Sequence, residues 1–261
     1  MNLSVIDLPP GVSRKGTRDQ EKGRWRDSDL VRFSEGNVGP VGGWTARTTS
    51  AMTGSARAML MSRSYAAGGP RTIVVVTHSK VYALTPSAVT PVDITPVGFA
   101  TGRADATSGG GYGVGNYGAG LYGTPRIDNV NVQDATMATI DLFGQYPVIC
   151  SPDDGKIYEW QLDISSPTVA AVVSNAPTNC VACAVTAEGH LVALLDNRTV
   201  KWSHQGANTN WTAGATSQAG SYLIQSQARL MCAKRVRGGL LIFTENDVHL
   251  MTYVGSYFIH N

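Results

Sequence analysis

The chain has 261 residues, of which 15% are charged, against about a quarter in an average soluble protein. Its 29 glycines and 12 prolines exceed ordinary usage, and 21 Lys and Arg against 19 Asp and Glu leave a net charge of +2. That balance excludes a coiled coil, a charge-rich disordered chain and a strongly basic nucleic-acid binder, and points to many short strands joined by turns. No apolar run approaches the ~18 residues of a membrane span. The opening MNLSVIDLPPGVSRKG sets Asp7 and two prolines where a secretion signal needs apolar residues. Four cysteines in so long a chain make no disulfide framework, which suits synthesis in a reducing cytoplasm.

Residues 1–50 read as an arm of charges and turn formers with little strand pattern. Between Arg14 and Arg32 the cations Arg14, Lys15, Arg18, Lys22, Arg24, Arg26 and Arg32 outnumber Asp19, Glu21, Asp27 and Asp29. Solvated surface is the plain reading of such a run. The mixed sign, with Trp25 and Phe33 interleaved, favours a protein contact over DNA.

Residues 51–261 carry the strand signals. Four segments share an apolar run, a polar turn and a second short strand: 72–84, 146–160, 190–202 and 239–251. The turn residues His-Ser, Asp-Asp-Gly, Asp-Asn and Glu-Asn-Asp make each a hairpin. Aligned on Val81, Ile157, Val200 and Val248, the last two intervals lie in or near the range of propeller blades, each a four-stranded sheet. A further strand precedes each hairpin, at 57–65, 135–143, 179–188 and 229–237, and apolar runs at 91–97 and 167–173 follow two of them. The expected fold is mainly β, with β-propeller-like blades, complete or partial, an extended N-terminal arm and a Gly/Tyr-rich inserted loop over 102–126. An ordinary sandwich with irregular spacing is the alternative.

The insertion explains the long first interval. Residues 108–123 read SGGGYGVGNYGAGLYG, with Tyr112, Tyr117 and Tyr122 five residues apart. Glycine forfeits ordering free energy that only the tyrosines could offset, so the tract reads as a protruding loop, ordered at most against a neighbouring subunit. Its two Gly-x-Gly-x-x-Gly matches lack the strand before and helix after that a dinucleotide site requires. Cys180 and Cys183 form a lone CxxC; on a regular strand they point to opposite faces and read as buried, inert thiols. Asp153, Asp154, Glu245 and Asp247 sit in turns, where acids are turn formers first. No cofactor or metal site is expected, and catalysis has no positive support. Lys234, Arg235 and Arg237 form a second basic cluster.

The phrases LPPGVSRKGTRDQEKGRWRDSDLVRFSEGNVGPVGGW (8–44), YGTPR (122–126) and NTNWTAGATSQAGSYLIQSQARLMCAKRVRGGLLIFTENDVHLMTYVG (208–255) resemble segments of bacteriophage tail nozzle proteins, the group of tail tubular protein B and the packaged-DNA stabilisation proteins. The resemblance implies a structural virion protein, not an enzyme, built on a β-propeller. It would be made in the host bacterial cytoplasm, placed in the virion tail and assembled as a homohexameric ring below an adaptor ring. Tail fibres are implied neighbours, and double-stranded DNA would pass through without sequence recognition. A near-neutral chain suits that channel, because a basic lumen would hold phosphates back. On this reading Arg14, Arg18, Arg24, Trp25 and Arg26 belong to a contact between rings, and Tyr112, Tyr117 and Tyr122 to a contact between subunits. The rival within the same setting is a receptor-binding or fibre-attachment propeller at the tail tip. An enzyme would need two of Asp153, Asp154, Glu159, Glu245 and Asp247 paired across a cleft.

Overall fold

β-Branched and aliphatic residues fill the strands, and polar or glycine turns separate them, so the backbone bonds between neighbouring strands instead of within helices. The computed structural model describes residues 11–17, 19, 25, 27–34, 37–43, 45–65, 69, 71–106, 133–163, 169–255 and 258–260. Among the described residues there is no helix; the strands form five antiparallel sheets. The chain divides into two compact units, Met1–Arg47 and Thr48–Asn261.

The first unit, read from the sequence as having little strand pattern, carries one short hairpin. Strands β1 (Val31–Ser34) and β2 (Asn37–Pro40) form a hairpin, registered Val31 to Pro40 and Phe33 to Val38. A parallel bridge joins Val12 to Trp25. Four-residue strands among so many charges leave almost no apolar alternation to read.

The second unit holds four sheets, each a simple four-stranded meander. They are β3 (Ala56–Arg63) to β6 (Val92–Asp93), with β4 (Arg71–Thr77) and β5 (Val81–Leu84) between; β7 (Thr139–Phe143), β8 (Tyr146–Ser151), β9 (Lys156–Glu159) and β10 (Ala171–Val172); β11 (Cys180–Val185), β12 (Leu191–Leu195), β13 (Thr199–Trp202) and β14 (Gly220–Leu223); and β15 (Leu230–Val236), β16 (Gly239–Thr244), β17 (Val248–Tyr253) and β18 (Phe258–His260). All four expected hairpins are present, each preceded by its expected strand. The fourth strands β14 and β18 carry little apolar pattern and have no counterpart among the expected strands.

The sheets stack through three apolar cores. Val74, Val76, Val81 and Ala83 of the first sheet meet Ile149, Tyr158 and Trp160 beside the second. Val148, Cys150 and Ile157, from the opposite face of the second, meet Cys183, Leu191, Ala193 and Leu195 of the third. Ala182, Val192, Leu194, Val200 and Trp202, on the third sheet's far face, meet Leu230, Leu240, Ile242 and Met251 of the fourth. The inner sheets are thus buried on both faces, so β12 is buried at every position, whereas β16 alternates. The first strand of each sheet packs on the first strand of the next: β3 on β7, β7 on β11, β11 on β15.

A repeated staple ties each meander together. In the first, third and fourth sheets the residue before the first strand accepts an amide from the second hairpin's turn: His78 N to Ser55 O at 3.0 Å, Asp196 N to Asn179 O at 3.1 Å and Glu245 N to Arg229 O at 3.1 Å. A β-bulge follows in the same three sheets, between Ala56 and Ala58, Cys180 and Ala182, and Leu230 and Cys232. The second sheet lacks both features, and it is the sheet that follows the long segment after β6. One turn glycine is obligatory: Gly155 has φ +66°, and a Cβ there would lie 2.5 Å from the Thr178 carbonyl oxygen.

Candidate functional site

Of the residues expected at a subunit or ring contact, Arg14 and Trp25 are described; Arg18, Arg24, Arg26, Tyr112, Tyr117 and Tyr122 lie outside the described residues. Arg14 Nη2 donates to Asp27 Oδ1 at 2.5 Å, with both side chains largely exposed. That guanidinium, helped by the Ser28 amide, holds the Asp27 carboxyl below its usual value. The Trp25 ring lies 6.5 Å from that of Phe33, tilted by 54°, and its carbonyl accepts the Ser13 amide at 2.8 Å. Its buried Nε1 has no hydrogen-bond partner. The two aromatic residues interleaved with the charges therefore pack on each other inside the first unit.

The turn acids do more than shape turns. Asp153 takes Arg103 Nη1 at 3.1 Å and the Thr136 hydroxyl. Asp154, with its side chain 3% exposed, accepts the Ala100 amide at 3.3 Å and the Tyr158 hydroxyl, and lies 3.5 Å from Lys156 Nζ. Burial, and then the Asp154 carboxylate, push the Tyr158 phenol well above its ordinary value, so it remains a donor. Arg103 Nε donates to Asp134 O at 2.8 Å, Thr136 N to Arg103 O at 3.1 Å, and Arg57 Nη2 reaches the carbonyls of Arg103 and Ala104. Residues 100–104 and 134–136, the roots of the inserted segment, are thereby clamped side by side onto the second sheet's turn. The sequence showed the acids and the insertion; what it could not show is that they meet.

Glu245 is bound by Arg229, Nη2 to Oε1 at 2.5 Å, and Asp247 accepts the Ser226 hydroxyl at 2.6 Å. Glu159 lines a groove of about 900 Å³, with Asp163, Gln161, Val172 and Asn208 among its walls. Burial raises the Glu159 carboxyl, against the amides of Asn208 and Gln161 that donate to it. Among the described residues no group of three His, Cys, Asp or Glu side chains is placed to hold a metal ion.

The CxxC reading needs one correction. The bulge between Cys180 and Ala182 breaks the alternation, so Cys180 and Cys183 join one core, with Cys150. Burial pushes the Cys183 thiol up to about 12, and the neighbouring Cys180 and burial raise Cys150 as well. Cys232 is the exposed thiol. Titration of dilute native protein with an aromatic disulfide reagent is expected to modify Cys232 rapidly and the other three only after unfolding.

His190 is fully buried, its Nδ1–H donating to Ser203 O at 2.9 Å and its ring 5.4 Å from that of Tyr253. Burial lowers its pKa, neighbouring His204 adds to the lowering, and Ser203 O and Glu188 oppose it. The unfolded chain therefore takes up a proton below its ordinary histidine pKa while the native chain does not. Stability is expected to fall as pH drops from about 6.5 toward the lowered native value, and His190→Gln should flatten that part of a midpoint-against-pH curve.

No protein-family model matches the sequence, and no curated protein matches it.

Proposed function

We propose that this chain is a structural subunit of a bacteriophage tail, standing in the nozzle or distal tail tube around the path of the genome. The observation that carries the reading is the fourfold repeat of one four-stranded meander, stacked first strand on first strand. This is how propeller blades are joined, and a propeller is what the resemblance of the three sequence phrases implies. On this reading the sheets are blades of an arc, and six copies form a ring below an adaptor ring. Sheets buried on both faces suit a wall, because rigidity comes from close-packed layers. The clamp at the insertion's roots fits a loop presented outward from that scaffold, and the mixed charge of the first unit fits a protein contact.

Negative-stain images and mass measurement of the purified full chain test the reading. The expected result is a six-fold ring with a hole wide enough for duplex DNA, and the same chain detected by antibody in purified particles. A single globule absent from particles would overturn it.

A further inference from the structure

Three of the four cysteines meet in the core between the second and third sheets, and two of them face each other across it. Cys150 lies on β8 and Cys180 opens β11, and both are 0% exposed. Packed sheets ordinarily stand about 10 Å apart, too far for a disulfide, which needs Cα atoms within about 7 Å. Here the approach is closer. Cys180 N donates to Gly155 O at 2.9 Å, so the start of β11 is hydrogen-bonded directly to the turn between β8 and β9. Gly155 permits this, because it has no Cβ to meet the Thr178 carbonyl. Cα atoms of β8 and β11 come within 8 Å of one another. Cys150 pairs with Ile157, just past that turn, and its Sγ reaches Cys180 O at 3.7 Å. The two thiols are themselves within hydrogen-bonding reach.

Cys183 is placed differently. Its Sγ donates to Val148 O at 3.9 Å and accepts the Thr139 hydroxyl at 3.7 Å, while its amide donates to Thr139 Oγ1 at 2.9 Å. Val148 precedes Cys150 by one full pleat of β8, so Cys183 sits about 7 Å along the strand from the other pair. A bond between Cys180 and Cys183 would span three residues of one strand, roughly 10 Å between Cα atoms, and is out of reach.

We propose that Cys150 and Cys180 are a latent cross-link: in an oxidising medium they form a disulfide that locks the second sheet to the third. The oxidant is a small disulfide such as oxidised glutathione. One cysteine thiolate attacks a sulfur of the reagent, forms a mixed disulfide and releases one glutathione thiolate. The second cysteine thiolate attacks the mixed disulfide and releases the other. Both protein thiols lose their protons and give up two electrons in all, and the reagent is reduced to two thiols. Burial keeps the reaction slow, since the thiols meet the reagent only when the two sheets part locally. The bond joins residues 30 apart, and closing a loop of that size restrains the unfolded chain. The inference stands whether or not the chain belongs to a phage tail.

The test uses the full chain carrying Cys232→Ser, which removes the exposed thiol and leaves the three buried ones. The protein is equilibrated with oxidised glutathione in urea well below its unfolding midpoint, which speeds local opening. Titration after unfolding should then find one thiol instead of three, and peptide mapping should join the segment of Cys150 to that of Cys180. The thermal midpoint should rise by roughly 5–10 °C and return on reduction. Cys183→Ala in the same background should gain the bond and the rise, and Cys150→Ala should gain neither. Retention of all three thiols, a link that includes Cys183, or a glutathione adduct that persists on Cys150 or Cys180 overturns the proposal. A Cys150 to Cys180 bond that leaves the midpoint unchanged or lowers it overturns the lock.

Discussion

Trp160→Ala is expected to cost about 3–5 kcal/mol of folding free energy and to be the most damaging single truncation in the core. Trp160 is 0% exposed and shares the first inter-sheet core with Val76, Val81, Ile94, Ile149 and Tyr158. Its amide donates to Pro147 O at 3.1 Å, so the backbone there continues to hold β9 beside β8 after truncation. The void would open between two sheets whose strands are already fixed by their own hydrogen bonds, and fixed walls cannot close on it. Urea unfolding should show a lower midpoint with the slope unchanged. Trp160→Phe should recover part of the loss, and Val248→Ala, at an exposed position of the fourth sheet, should change stability by no more than about 0.5 kcal/mol. Equal losses for Trp160→Ala and Val248→Ala would contradict the three-core stack.

Asp154→Ala is expected to cost about 3 kcal/mol, most of it from groups left without an acceptor. The Tyr158 hydroxyl belongs to a fully buried residue, and the Ala100 amide has its acceptor in the same carboxylate. Removing the acceptor and keeping the donors is costlier than removing both. Tyr158→Phe should therefore hurt less, and the double variant should fall well short of the sum of the two losses, since they share one bond. Hydrogen exchange gives an independent readout: the amides of residues 100–103 should lose protection in Asp154→Ala while those of β12 keep theirs. Additive losses, or unchanged exchange at the insertion's roots, would show that the clamp does not hold them.

Much of the sheet architecture was legible in the sequence because the inner strands lie between two apolar layers. LVALL over 191–195 and VIC over 148–150 are continuous apolar runs, and polar turns bound both. Val81, Ile157, Val200 and Val248, chosen as equivalent by pattern alone, do hold equivalent places in the register. What escaped were strands whose side chains face solvent or are too few to alternate. GSYL of β14 is half-buried at Gly220 and exposed beyond it, and β1 and β2 are four residues each. The staple between Asn179 and Asp196, or Arg229 and Glu245, joins residues 16 or 17 apart through a fold-dependent approach that no local pattern encodes. The bulge at Cys180 was invisible for the same reason, and it overturned an argument from strict alternation. Of the expected contact residues, Arg14 and Trp25 find their described partners inside their own unit, Asp27 and Phe33.

The clamp that joins Arg103 to Asp134 and Thr136 also sets how freely the intervening stretch can change length. For any flexible chain whose two ends are already pinned together, closure entropy grows only with the logarithm of length, so a doubling costs about 0.6 kcal/mol. The doorway is paid for by Arg57, Arg103, Asp153 and Asp154, none of which belongs to the stretch itself. Transplanting a foreign sequence between Ala104 and Gln133 should thus leave the stacked layers standing, making that spot a natural port for diversification.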